Sequence, residues 1–198
     1  MQEVGVIDMQ KHTTEALLCC TFACEGNALV VGGKDKMVRV YDVASGNLLK
    51  TLPGHQANIC SLCNHGSLVS SGGDHGCSSL ITWDIRNWST RSKVQLHSAA
   101  VTCITDLQDG VHLATASYDK KINIFNYQRG VGVLVANSKA GISCMVLASD
   151  RQRLITTSLD NSIAIWHLTR VHFPLFRAIL SRISTLNGSL WWTHWYAR

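Results

Sequence analysis

Residues 114–127 read ATASYDKKINIFNY: small residues, an Asp in a turn-like step, then Ile122, Ile124 and the aromatic Phe125. Apolar residues recur here with a period of two, which is strand periodicity, because successive side chains of a strand point to opposite faces. Three other stretches lie beneath it: VVGGKDKMVRVYDV at 30–43, VSSGGDHGCSSLITWDI at 69–85 and ITTSLDNSIAIWHL at 155–168. Their aromatics, Tyr41, Trp83, Phe125 and Trp166, are 42, 42 and 41 residues apart. A His opens three of the four units, His12, His55 and His97, and Lys139 stands near that place in the fourth.

The third unit predicts four strands, Val101–Asp106, His112–Ala116, Ile122–Asn126 and Val131–Val135. Turn residues separate them at Gln108-Asp109-Gly110 and Gln128-Arg129-Gly130. Four short antiparallel strands per unit of about 42 residues is the pattern of a propeller blade. The chain therefore reads as all-β, with about four blades. Near Gly54-His55, Trp83-Asp84 and the Asp six residues before the aromatic (Asp35, Asp119, Asp160), it resembles the WD40-repeat β-propeller family.

That resemblance implies a structural tetrad in each blade: a His, a second-strand Ser or Thr, the turn Asp and the third-strand Trp. The second blade supplies His55, Ser70, Asp74 and Trp83. The third supplies His97, Thr115 and Asp119, but Phe125 has no N–H to donate. The fourth supplies Thr156, Asp160 and Trp166 without a His. In the first, His12 and Asp35 remain while Val31 and Tyr41 replace the hydroxyl and the Trp. Asp74 and Trp83 are nine residues apart, three more than in the other blades, so a bulge is expected around His75-Gly76-Cys77-Ser78.

The resemblance implies a ring of more blades than four. The expectation is a partial or open ring, a fragment or short isoform of a longer propeller, with open blade edges available for self-association. The domain spans 1–170, with blades near 12–54, 55–96, 97–138 and 139–170, and Val4–Asp8 reads as a lone outer strand. Beyond Arg170, Phe176, Ile179, Leu180, Ile183 and Leu186 fall at helical spacing, which predicts a C-terminal helix. Residues 171–198 form a divergent aromatic and basic tail.

Composition narrows the function. The 198 residues are 46% hydrophobic and 16% charged, enough for a core. The net charge of +5 is scattered, and the densest cations, Lys34 with Lys36 and Lys120 with Lys121, adjoin Asp35 and Asp119. A nucleic-acid site needs a basic stripe, so none is read. The first ten residues carry Glu3 and Asp8 and no basic residue, unlike a secretory signal, which places the protein in the cytoplasm or nucleus. Membrane contact is not expected.

Eight cysteines include Cys60-Ser61-Leu62-Cys63, but no second matched pair follows for zinc. Cys19, Cys103 and Cys144 instead share one first-strand position with Ser61, read as small and buried. No nucleophile motif or phosphate loop appears, so no cofactor, metal or catalytic residue is assigned. The reading is a non-enzymatic scaffold for protein–protein interaction. The alternative lies in Trp83-Asp84-Ile85-Arg86, similar to the WD-x-R box by which some WD40 proteins dock on a cullin-4 ubiquitin ligase adaptor. There Arg86 would be the contact of a substrate receptor.

Overall fold

The fold is built from a turn that recurs in three of the four units. The side-chain oxygens of Asp35, Asp119 and Asp160 accept the backbone N–H two residues on, from Met37, Lys121 and Ser162, at 3.2, 2.9 and 3.1 Å. Between each pair the chain takes a positive φ, at Lys36 (66°), Lys120 (71°) and Asn161 (60°). Asp stabilises such a turn by mimicking a backbone acceptor, and a left-handed residue tightens it. Each turn reverses the chain between two strands.

In the computed structural model, residues 11–75 and 79–168 and the backbone of 182–183 are described. They form four antiparallel four-stranded sheets. The first contains β1 (Leu17–Ala23), β2 (Ala28–Gly33), β3 (Met37–Asp42) and β4 (Leu48–Pro53). The second contains β5 (Ile59–His65), β6 (Leu68–Gly73), β7 (Ser79–Asp84) and β8 (Ser89–Gln95). The third contains β9 (Val101–Asp106), β10 (His112–Ser117), β11 (Lys121–Asn126) and β12 (Val131–Asn137). The fourth contains β13 (Ile142–Leu147), β14 (Arg153–Ser158), β15 (Ile163–His167) and β16 (Arg182–Ile183). Each is a simple meander, and the sheets stand side by side in an open, unclosed ring of propeller blades.

The helix expected across Phe176–Leu186 is corrected at 182–183. Here Ile183 pairs with Ile165 and Arg182 with Trp166, making the edge strand of the fourth sheet. An unpaired β15 edge gains backbone hydrogen bonds from this strand, which outweighs a helical side-chain pattern. The rest of that stretch, Val4–Asp8 and residues 76–78 lie outside the described residues.

Burial follows position in the blade. Strands β6, β7 and β10 are buried throughout, whereas β8 and β12, at the outer edge, are mostly exposed. The innermost strands pack in succession, β1 on β5, β5 on β9 and β9 on β13. Contact is close because the second strand offers almost no side chain there. A Cβ on Gly32 would lie 2.7 Å from the Ile59 Cγ2, and one on Gly72 would lie 2.8 Å from the Val101 side chain and 2.4 Å from the Ser61 Oγ.

Polar locks accompany this packing. The Cys19 thiol donates to the Ile59 carbonyl (3.5 Å), Ser61 to that of Val101 (2.9 Å) and Thr102 to that of Ile142 (2.7 Å). The four residues at the position of Cys19 face Gly32, Gly72, Ala116 and Thr157 across the first ladder. Ser61 is buried and Cys19 and Cys103 are half-buried, but Cys144 is exposed, because no described sheet follows the fourth.

Overpacking this seam gives a direct check. Gly72→Ala is expected to lower the free energy of unfolding by about 1–3 kcal/mol, read from urea denaturation. An unchanged midpoint would mean that the second and third sheets do not approach as described.

Candidate functional site

The buried polar positions build outward from the second strand of each blade. In the third, Thr115 sits opposite Asn123, two residues past the pair formed by Leu113 and Phe125. His97 enters from the preceding loop and is buried, with Nε2 2.9 Å from the Thr115 hydroxyl and Nδ1 3.1 Å from both Asp119 oxygens. A carboxylate only accepts, so Nδ1 carries the proton and Nε2 accepts from Thr115. Phe125 donates nothing, and the Asn123 amide occupies the space beside the ring, donating to the Leu96 carbonyl at 2.9 Å.

Burial lowers the pKa of His97, and Asp119 offsets this only in part, so the pair is a hydrogen bond between neutral imidazole and carboxylate. For Asp119 itself burial pushes upward. The Ser98 N–H, His97 and the Lys121 N–H outweigh it and hold the carboxyl below the usual range.

The second blade differs from its expected set. The hydroxyl beside the His is that of Ser71, not Ser70: His55 Nε2 lies 2.7 Å from the Ser71 Oγ, which also accepts the Trp83 indole N–H at 2.8 Å. Ser70 points to the other face, against His65 Nε2 (2.8 Å) and the Thr82 hydroxyl (3.0 Å). The reason is register. Trp83 pairs with Val69, so the position two residues on is Ser71.

Asp74 does not join this group. It accepts from Asn58 Nδ2 at 3.3 Å and from the His75 N–H at 2.7 Å, while His55 Nδ1 is buried without a partner among the described residues. Asp74 stands where Tyr118 does in the third blade, since their N–H groups bond the Asn58 and Ala100 carbonyls alike. The Asp comes one residue early. Adjacent serines hid the shift; strand parity counted from Trp83 is the signal that finds it.

In the fourth blade the Trp166 indole N–H donates to the Thr156 hydroxyl at 2.8 Å, and Asp160 shapes the following turn. The first blade uses other chemistry. The Tyr41 hydroxyl lies 3.3 Å from His12 Nδ1, and the buried Arg39 guanidinium pairs with Asp35 and donates to the His12 carbonyl at 2.9 Å. Burial alone would raise Asp35, but Arg39 and the Met37 N–H more than offset it.

Two further expectations concern exposed or reactive groups. The Arg86 guanidinium folds back on Asp84, with Nε–Oδ1 2.9 Å and Nη2–Oδ2 2.5 Å. Burial pushes the thiols of Cys19 and Cys63 up to about 12, so both are protonated at neutral pH, and it is the thiolate that binds metal or attacks. Among the described residues no group of three or more His, Cys, Asp or Glu side chains could hold a metal ion. No described helix is long and apolar enough to cross a membrane.

One face of the arc carries a row of equivalent side chains, one from each blade. The N–H groups of Lys34, Asp74, Tyr118 and Leu159 donate to the carbonyls of Ala16, Asn58, Ala100 and Gly141 at 2.9, 2.8, 3.2 and 2.9 Å. Tyr118 is 41% and Leu159 62% exposed, and the His75 ring stacks on Tyr118 with centroids 6.5 Å apart.

The family model described as WD domain, G-beta repeat matches residues 4–42, 46–79, 88–126 and 129–167. The chain belongs to the WD40-repeat family. Each of the last three WD40 matches starts at the outer strand of one sheet and runs into the next, and the second stops at 79, beside the lengthened turn. The chain is similar to pre-mRNA-processing factor 19 of Bos taurus, 30% identical over 147 residues, covering 72% of this chain and 29% of that one. It is 26% identical over 178 residues to the U5 small nuclear ribonucleoprotein 40 kDa protein of Dictyostelium discoideum, covering 88% and 49%. It is 23% identical over 152 residues to autophagy-related protein 16 of Arabidopsis thaliana, covering 74% and 29%. The chain thus spans less than half the length of these WD40 relatives. They lend no support to a cullin-4 receptor role for Arg86, and Asp84 already engages that guanidinium.

Two measurements address the polar groups. Ser71→Ala strands the Trp83 indole and His55, and is expected to cost about 1–3 kcal/mol in urea unfolding; no loss would remove the assignment of Ser71. Burial also lowers His55 and His65 to about 4 from an ordinary 6.5, with Lys93 adding to the effect at His55. The unfolded chain takes up these protons first, so stability is complete above pH 6.5 and falls as pH drops toward 4. The midpoint should decline over that window, and less so in His55→Gln; a flat profile would contradict neutral, buried histidines.

Proposed function

We propose that this WD40 chain is a non-enzymatic scaffold that binds another protein across the face of the arc bearing Tyr118 and Leu159. The observation that carries this reading is the exposure of an aromatic and a large aliphatic side chain at equivalent positions of neighbouring blades. Both follow a rigid second strand and are fixed by the same backbone hydrogen bond. Rigid aromatic anchors lose little entropy on contact and dominate binding energy at interfaces. Lys34 and Asp74 at the corresponding places of the first two blades add charges of both signs. A protein segment with one polar half and one apolar half matches that row better than nucleic acid does.

The setting favoured is nuclear, within protein assemblies that process RNA. Its support is the names of two relatives, a pre-mRNA-processing factor and a protein of a small nuclear ribonucleoprotein. The structural tetrads belong to this reading as framework: His55, His97, Thr115, Asp119, Thr156, Asp160 and Trp166 hold turns to strands and leave recognition to exposed groups.

The test is affinity capture from nuclear extract with the full chain and with Tyr118→Ala/Leu159→Ala as baits. The native chain is expected to retain a defined set of proteins, and the double variant to lose it while keeping its circular dichroism spectrum. Arg86→Asp should leave the set intact. Identical capture by native chain and double variant would overturn the proposed face.

A further inference from the structure

One corner of the structure, where the second sheet meets the third, departs from the repeat. His65 closes β5 opposite Leu68, and the residues at its register position in the other sheets are Ala23, Leu107 and Ala148. Ser70 pairs with Thr82 across β6 and β7, where the other sheets pair Val30 with Val40, Ala114 with Ile124 and Ile155 with Ile165. Tyr127 follows β11 and donates its N–H to the Val111 carbonyl, as Val43, Ile85 and Leu168 donate to Asn27, Ser67 and Gln152. At each of these positions three blades carry an apolar side chain and one carries an imidazole or a hydroxyl.

The four exceptions come together. His65 and Tyr127 pack ring against ring across the seam, with centroids 4.5 Å apart, and Ser70 links the His65 Nε2 to Thr82. All four are buried, His65 to 2% exposure, and its Nδ1 has no partner among the described residues. Exchanging apolar for polar groups in a core weakens it unless every polar atom is paired. Here the pairing is incomplete, and the set takes no part in the His55–Ser71–Trp83 framework on the other face of β6. Stability therefore does not account for it.

His65 and Tyr127 line a cavity of about 580 Å³ together with Ser67, Arg91 and Gln128. Its size is that of a small-ligand site. It opens beside the β5–β6, β9–β10 and β11–β12 turns, on the face opposite Tyr118 and Leu159, and both sheets that form it have described neighbours on either side. Arg91 brings a charge to this lining and is exposed. Burial, with Asp106 and Asp109 nearby, pushes the Tyr127 phenol up, so it remains a donor at neutral pH. Those two carboxylates accept N–H groups of their own turn, from Gln108 and from Val111 and His112.

We propose that this cavity binds a carboxylate, which Arg91 pairs with at the mouth and to which His65 donates through Nδ1 while its Nε2 accepts from Ser70. Tyr127 supplies a neutral donor beside it. A guanidinium and neutral N–H and O–H donors together recognise a carboxylate by charge and by direction. The carboxylate is that of an acidic peptide side chain or of a free small acid. The site is separate from the Tyr118–Leu159 face, so either can fail without the other.

The probes are N-acetyl-glutamate methylamide, its glutamine counterpart and glutarate, titrated into the ¹⁵N-labelled full chain. The glutamate probe is expected to give saturable shifts at the Ser67, Tyr127 and Gln128 amides, and the glutamine probe none. Tighter binding of glutarate than of the glutamate probe assigns the site to a free acid, and the reverse order to a peptide side chain. Arg91→Gln, at an exposed position, should weaken binding about tenfold, as loss of a hydrogen bond to a charged group does. His65→Leu/Ser70→Ala/Thr82→Ile installs the set that the third blade carries at Leu107, Ala114 and Ile124. That variant should unfold in urea at or above the native midpoint and bind no glutamate probe. A lower midpoint would make the polar set structural and overturn the site. Equal response to the glutamate and glutamine probes, no saturable shift, or binding that survives either variant would overturn it as well.

Discussion

Close approach between successive sheets is the constraint on which the rest of this structure depends. An inner-strand Ile or Val must slide under the second strand of the sheet before it, and at Gly32 and Gly72 there is no room for even one added carbon. The seam thereby decides which first-strand residues are apolar and which are small hydrogen-bond donors. Because each sheet touches only its neighbours, stability accumulates seam by seam, as in other repeat arrays.

Within the blades a common problem is solved in unlike ways. A polar group two residues past the aromatic's partner must be paired once it is buried. Ser71 uses His55 and Trp83, Thr115 uses His97 with Asp119 behind it, and Thr156 uses Trp166. Val31 carries no such group, and Arg39 opposite it finds Asp35 and the His12 carbonyl. The repeat conserves a location and a backbone geometry, while the side chains there are exchanged as sets.

The blades were legible in the sequence because their signals are local. Period-two alternation, a turn Asp and an aromatic every 41 or 42 residues are enough to locate strands, and the third sheet differs from its expected boundaries by at most two residues. What escaped was non-local or decided by parity. Ser70 and Ser71 are equivalent by composition, and only pairing with β7 separates them. The edge strand at 182–183 escaped because its partner is remote in sequence and its own pattern suits a helix. Cys144 shares its register with two half-buried cysteines, but its exposure depends on a neighbouring sheet that no spacing within the blade reveals. The proposed recognition surface was the least legible, since Tyr118 and Leu159 look like ordinary turn residues until their backbone bonds align them.

The meander of each blade also sets how the chain would carry a mechanical load. The polypeptide enters every sheet at its innermost strand, against the neighbouring sheets, and leaves it at the strand of the opposite edge. Tension applied along the chain therefore pulls on an edge strand such as β8 or β12 and detaches its hydrogen bonds one after another, rather than shearing a whole ladder at once. The blades are tight in compression across their seams and weak under peeling.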